Sequence, residues 1–258
     1  MLSELKLLLI PDDKLISALK HFNPRKPLKV NQKRIGNPYD GGYIMIDDFI
    51  KKDGIAYSFG VGRNVSWETQ MSNDYNNTIH MYDHTVDGHT SADPNLVFHK
   101  TGIASSNNKN MKTISSIIAD NKHTKRKDMT LQCDIEGGEW DIFLSTPQKT
   151  LNQFAQLNIE FHWLGAMMSD DIKHINGYER VIETLKTLRK NFTPYHIHGN
   201  NHVRSFELDN KICGDVIEVS YIRNDLVEFS DEDVMFPTKL DSPNNPRSNE
   251  IKLGNFKW

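Results

Sequence analysis

The sequence predicts an α/β protein built on a Rossmann-like, seven-stranded, mostly parallel sheet with a helical cover at its N-terminus. Three observations carry that expectation. Short apolar runs of strand length alternate with helix-compatible segments from residue 54 to residue 192, the order that a parallel sheet with crossover helices imposes. The last two apolar runs, 194–202 and 213–224, follow one another with no helix between them, which is why the sheet is expected to be mostly rather than wholly parallel. Glycines and acids collect where the runs end, at Gly60, Gly62, Asp83 and Asp134, the strand edge at which open α/β sheets bind ligands.

Taken in order, residues 3–22 read as one or two amphipathic helices, with Leu7, Leu8, Leu15 and Leu19 at helical spacing and a break at Pro11. In KRIGNPYDGGYIMIDDF (33–49), Asp40-Gly41-Gly42 signals a tight turn ahead of a short strand at 43–46. The strand GIAYSFGVG (54–62) is followed by a helix over 65–75, a second strand TIHMYD (78–83) and a third, NLVFHKTGI (95–103). A helix over 111–121 precedes the fourth strand, MTLQCDIE (129–136), and a Pro-broken helix over 139–154 precedes the fifth, AQLNIEFHWL (155–164). The clearest helix, 177–192, sets Val181, Leu185 and Leu188 on one face. The tail, 236–258, is rich in Pro and Asn and aperiodic, which marks an ordered lid or a loose end. The expected organisation is a helical cover over 1–32, the sheet domain over 33–235, and the tail as part of that same domain.

Composition narrows the partners. The net charge of -3 gives no field that draws nucleic acid or anionic lipid, so a small polar molecule or a glycan is the expected partner. The apolar run near the N-terminus is interrupted at Glu4, Lys6 and Pro11, too short for a signal peptide or a membrane span. Both cysteines, Cys133 and Cys213, fall inside apolar runs, the pattern of buried thiols in a reducing compartment, here the cytoplasm.

The turn SFGVGRN (58–64) brings backbone close to a ligand. Asp83 follows Gly62 at about the twenty-residue interval at which a carboxylate accepts from ribose hydroxyls. His84 and Ile103 would flank the adenine. A pyrophosphate calls for a third glycine, where this chain has Arg63, Asn64, Val65 and Ser66. S-adenosylmethionine carries no phosphate, and its cationic sulfonium suits the acids of LQCDIEGGEWDIF (131–143).

These stretches, with YSFGVGRNVSWE (57–68), MYDHT (81–85), NIEFHWL (158–164), HIHGNN (196–201) and KLDSPNNP (239–246), resemble the FkbM-like class I S-adenosylmethionine-dependent methyltransferases from residue 33 onward. The resemblance implies a seven-stranded Rossmann-like sheet with an antiparallel C-terminal hairpin strand, S-adenosylmethionine as methyl donor and often an oxygen acceptor on a sugar or polyketide. Gly138 departs from it, being a larger residue in many relatives, and the N-terminal helices match nothing in it.

Within that reading, Gly60, Gly62, Asp83, His84, Ile103 and Asp134 are the expected cofactor contacts. Asp134 and Glu136 end the fourth strand and face the methionine end or the acceptor, while Glu139 and Asp141 are helix-start acids. For the base that removes a hydroxyl proton, His162 ranks first, then His198, with His196 beside it. Tyr43, Trp163, Asn200 and Asn201 are expected at the acceptor. A divalent ion held by Asp134, Glu136 and His162 is a variant of this chemistry, but no tight ligand spacing compels it and none is expected. The rival readings are a nicotinamide-dependent oxidoreductase and a non-catalytic glycan-binding or protein-binding member of the fold.

Overall fold

The computed structural model describes residues 11–165 and 177–258. Its central sheet has seven strands: β1 (Ile55–Phe59), β2 (Thr78–Tyr82), β3 (Leu96–His99), β4 (Met129–Cys133), β5 (Phe154–Phe161), β6 (Phe192–Gly199) and β7 (Ile217–Arg223). They lie side by side in the order β3-β2-β1-β4-β5-β7-β6. The first five neighbours run parallel, whereas β7 enters antiparallel between β5 and β6. The Rossmann-like sheet with its antiparallel C-terminal strand pair is the architecture the alternation of runs predicts.

One face of the sheet is apolar. Tyr57, Phe59, Leu131, Leu157, Phe161 and Tyr221 pack beneath α1 (Asp12–Leu19), α3 (Ile114–Asp120), α4 (Glu139–Ser145) and α6 (Gly177–Arg189), whose Val181, Leu185 and Leu188 point into this core. Trp140 of α4 lies 4.7 Å from the Phe161 ring, and its Nε1 donates to the His162 carbonyl at 2.9 Å. That bond fixes the end of β5 to the start of α4.

The opposite face is divided. Under β1 and β2, Ala56, Ile79 and Met81 meet Trp67, Met71 and Tyr75 of α2 (Ser66–Tyr75). Under β4, β5 and β7 the buried side chains are polar: Gln132, Gln156, Asn158, Glu160, Glu218 and Ser220. Their cover is a hairpin, Gln32–Gly36 paired with Gly42–Ile46. Gln156 accepts from the Ile46 N–H and donates to its carbonyl, both at 2.9 Å, while Ser220 Oγ donates to the Ile44 carbonyl. These side chains take the hairpin's unpaired backbone groups as a neighbouring strand would, while both polar atoms of the Asn158 amide stay without a partner.

Several expected boundaries shift. The third strand ends at His99, and Gly102–Ile103 pairs with Met111–Lys112 in a separate small sheet. The helix expected over 139–154 divides at Pro147 into α4 and the single turn α5 (Gln148–Leu151). The run 213–224 contains two strands, because Lys211–Gly214 turns back on Ser205–Leu208 before β7 begins. Of the N-terminal helices, α1 starts just after Pro11, and the expected helix over 3–10 lies outside the described residues. His80 and His99 meet at 3.1 Å on adjacent strands. No helix among the described residues is long and apolar enough to cross a membrane.

Candidate functional site

The C-terminal ends of β1, β2 and β4 open into a cavity of about 510 Å³. The turn after β1 makes the room. Gly60 adopts a φ of +78°, and a Cβ there would sit 1.5 Å from the Asp134 carbonyl oxygen, so only glycine lets the two strand ends approach. Gly62 is also left-handed, at +57°, but its Cβ position faces open space. Its N–H donates to Asp83 Oδ2 at 2.9 Å, and Asp83 Oδ1 accepts from the N–H and Oγ1 of Thr85, both at 2.7 Å. Burial works against the Asp83 charge, but these donors outweigh it and hold its carboxyl below the usual carboxylate range. An ionised carboxylate therefore stands at the cavity wall beside His84 and Ile103.

A polar chain crosses the cavity floor. Ser58 Oγ lies 2.5 Å from Glu68 Oε1 and 2.8 Å from Gln132 Oε1, and Gln132 Nε2 donates to the Tyr43 hydroxyl at 3.2 Å. Ser58 has one proton for two acceptors, so the chain closes when Glu68 is protonated and donates to it. Burial pushes the Glu68 carboxyl up to about 7, with the Ser58 hydrogen bond working against the rise. Its second oxygen, Oε2, is buried without a hydrogen-bond partner.

At the ends of β4 and β5 the acids gather. His162 Nε2 lies 3.6 Å from Asp134 Oδ1, 3.5 Å from Glu136 Oε2 and 3.9 Å from Glu160 Oε1. Its other nitrogen, Nδ1, is 3.1 Å from Glu139 Oε1, which also accepts from the His162 backbone N–H at 2.6 Å. Glu139 Oε2 accepts from the Gly137 N–H, and the residue is fully buried. Burial lifts the Asp134 carboxyl to about 7 against the attraction of His162, and lifts Glu160 well above its ordinary value, reinforced by Asp134 and Glu218. For His162, burial opposes protonation, yet the Glu139 bond and the surrounding carboxylates outweigh it and raise the imidazole above its ordinary value.

Every expected cofactor contact lines the cavity: Gly60, Gly62, Asp83, His84, Ile103 and Asp134, joined by Tyr43 and Glu136. His162 reaches it through Asp134 and Glu136. The remaining expected residues lie apart. His198 corrects the expectation of a second base, because Nδ1 is bonded to Glu218 at 2.9 Å and Nε2 to Glu250 at 3.1 Å, which leaves neither nitrogen to take up a proton. His196 is bonded to Asp241 of the tail. Asn201 donates to tail carbonyls including that of Asn245, and Asn200 donates to Glu160 Oε1 at 2.7 Å, so both hold the protein's own polar groups rather than facing the cavity. Trp163, at a φ of +64°, stays half exposed against Gly137.

Three participants are missing from the sequence reading. Glu160 precedes His162 by two residues, the period that sets both on one face of a strand, and that spacing was its signal. Glu139 reads as a helix-start acid, but the turn through Glu136 and Gly137, both left-handed, brings it back to His162. Glu68 had no signal beyond its place in an amphipathic helix.

Residues 21–223 match the model of the family described as Methyltransferase domain. The match takes in most of the chain, and the protein belongs to that family, whose members take their methyl group from S-adenosylmethionine. Comparison with curated proteins gave no match.

Proposed function

We propose that this methyltransferase is an O-methyltransferase of the FkbM-like kind, acting on a sugar hydroxyl of a glycan or capsular polysaccharide precursor. The observation that carries the reading is the continuous cavity running from the ionised Asp83, past the glycine turn, to Asp134 and Glu136 after β4. Asp83 keeps acceptor capacity for a ribose diol, with Ile103 and His84 beside it for the adenine. Gly60 and Gly62 let the backbone lie close to the nucleoside. Glu68 and Asp134 offer carboxylates to the methionine end, where the ammonium and sulfonium are cationic.

The same wall disfavours a dinucleotide. A pyrophosphate needs free backbone N–H groups at this turn, whereas the Gly62 N–H is already donated to Asp83.

When bound, S-adenosylmethionine supplies an electrophilic methyl carbon for in-line displacement by an acceptor oxygen. The chain contributes the acceptor corner. Asp134, Glu136 and His162 converge there, and this concentration of hydrogen-bonding groups supports an acceptor rich in hydroxyls. Buried free thiols at Cys133 and Cys213 support action in the cytoplasm. Helical cover, sheet and tail act as one domain in this proposal.

Isothermal titration with S-adenosylhomocysteine beside NADH tests the reading. Micromolar binding of the thioether with no heat from NADH is the expected result, and methyl transfer to glycans or nucleotide sugars is then assayed. Preference for NADH would refute the cofactor assignment, while thioether binding with methylation confined to peptides or nucleic acid would refute the acceptor class.

A further inference from the structure

The corner formed by Asp134, Glu160 and His162 has the geometry of a cation site. One ligand atom from each of the three lies within 4.8 Å of the others. Two carboxylate oxygens and an imidazole nitrogen make a donor set suited to Mn²⁺ or Mg²⁺, with positions left for a ligand oxygen. Atoms about 2.1 Å from a common ion at angles of about 90–120° lie roughly 3.0–3.7 Å apart. The observed separations from His162 Nε2, 3.6 Å to Asp134 and 3.9 Å to Glu160, require a contraction of a few tenths of an ångström.

The histidine supplies the independent observation. His162 is 5% exposed, and Glu139 holds it from behind through Nδ1 and through the backbone N–H. A carboxylate on the far nitrogen fixes the tautomer that carries its proton on Nδ1 and presents the Nε2 lone pair, the arrangement found behind metal-bound imidazoles. Nε2 stands 3.5 Å from Glu136, 3.6 Å from Asp134 and 3.9 Å from Glu160 and makes no hydrogen bond to any of them. Asp134 Oδ1 is likewise buried with no hydrogen-bond partner. Glu160 is oriented from outside by Asn200. An electron-pair acceptor between these atoms satisfies all of them at once.

We propose that Asp134, Glu160 and His162 bind a divalent cation that holds the acceptor oxygen at the end of the cavity. The role rests on the O-methyltransferase reading above, while the site rests on the three ligands alone. At the ion the acceptor hydroxyl loses its proton to Glu136, whose side chain is 78% exposed and returns the proton to solvent. The oxygen's electron pair then forms the new C–O bond as the C–S bond breaks, and that pair stays on sulfur. His162 thus acts as a ligand, and Glu136 as the base.

Mn²⁺ titration followed by electron paramagnetic resonance, on the full chain with and without S-adenosylhomocysteine, tests the assignment. Expected are one bound Mn²⁺ per chain and hyperfine coupling to one imidazole ¹⁴N. Glu160→Gln, which matches the shape of the native side chain, should weaken Mn²⁺ binding at least about tenfold while changing thioether affinity by less than about threefold. The ¹⁴N coupling is read on the unaltered protein, so a variant that fails to fold leaves the test intact. Thioether binding with all Mn²⁺ remaining free would overturn the cation site and spare the methyltransferase reading. Mn²⁺ bound without ¹⁴N coupling, or equally well by a folded Glu160→Gln, would also overturn it. Coupled Mn²⁺ without thioether binding would uphold the site and remove the cofactor assignment.

Discussion

Gly60 and Gly62 occupy one turn, both left-handed, yet substitution by alanine should affect them very differently. At Gly62 the added methyl meets nothing within 4 Å, so its cost is that of holding an L-residue in the left-handed region, about 1 kcal/mol. At Gly60 the same conformational cost applies, and the methyl would stand 1.5 Å from the Asp134 carbonyl oxygen, where real contacts keep at least 3.0 Å. That oxygen must retreat by roughly 1.5 Å. Two bonds resist the movement: Gly60 N–H donates to the Tyr82 carbonyl at 3.0 Å and Asp134 N–H to the Phe59 carbonyl at 2.9 Å. Overpacking of this sort adds about 1–3 kcal/mol. For a chain of this length the melting temperature should fall about 2–4 °C in Gly62→Ala and about 5–12 °C in Gly60→Ala. Thermal unfolding by circular dichroism, paired with S-adenosylhomocysteine titration, reads both. Gly62→Ala should keep its fold and still lose affinity, because its methyl projects into the cavity. Equal melting temperatures for the two variants would refute the steric argument, and unchanged affinity in Gly62→Ala would refute the placement of ligand at this turn.

Other expectations follow from the same geometry. Glu68, with a carboxyl near 7, should release part of a proton when a cationic ligand end approaches it at pH 7; titrations in buffers of different ionisation enthalpy would detect this, and Glu68→Gln should reduce the release and weaken S-adenosylmethionine binding about tenfold. Asp83→Ala strands the Gly62 and Thr85 donors and should cost about 1–3 kcal/mol of stability together with most of the cofactor affinity, measurable by denaturant unfolding and calorimetry; wild-type affinity in this variant would exclude the ribose role. For His198, burial disfavours the charge, but the bonds to Glu218 and Glu250 prevail and raise its pKa to about 10. Since this folded value lies above the unfolded one, its contribution is fully present below about pH 6.5 and drains away as pH rises toward 10. Melting temperature should therefore decline between pH 7 and pH 10 more steeply in wild type than in His198→Gln, and parallel profiles would count against the latch.

The parallel sheet is legible because each strand is apolar on at least one face and each helix announces itself by periodicity, as α6 does with Val181, Leu185 and Leu188. The polar face is not. In Gln132, Asn158 and Glu160 the alternation of polar and apolar residues has the look of a strand with one side in water, yet all three are buried. What buries them comes from far away in sequence: the hairpin ending at Ile46, and a tail without periodicity whose Asn244 donates to Glu218. The cavity wall was readable at Gly60, Gly62 and Asp83 because strand-end glycines and acids have local signatures. Glu139 and Glu68 act through contacts that depend on how a helix is set against the sheet, and no spacing within their own segments encodes that. His198 misled for the same reason, its partner Glu250 lying in the tail.

Two histidines on this face share a construction and differ in one respect that separates support from chemistry. His198 is held between Glu218 and Glu250 with both nitrogens bonded, so the charge is closed on itself and fastens the tail to β6. His162 is held by Glu139 on one nitrogen only, and the other faces Asp134, Glu136 and Glu160 beside the cavity. Glu160, two residues before His162, lies in register with His198 across β7, since Glu160 pairs with Glu218 and Glu218 with His198. Asn244 then joins Glu218 to Asp40 at the cavity rim. Glu218 still repels Glu160 and adds to the rise of its carboxyl, and in the Asp134, Glu160 and His162 corner Asp134 Oδ1 is left without a hydrogen-bond partner. In this arrangement the tail does more than cover apolar surface: by delivering Glu250 and Asn244 it bonds His198 and Glu218 on the polar face, next to the acids of the site.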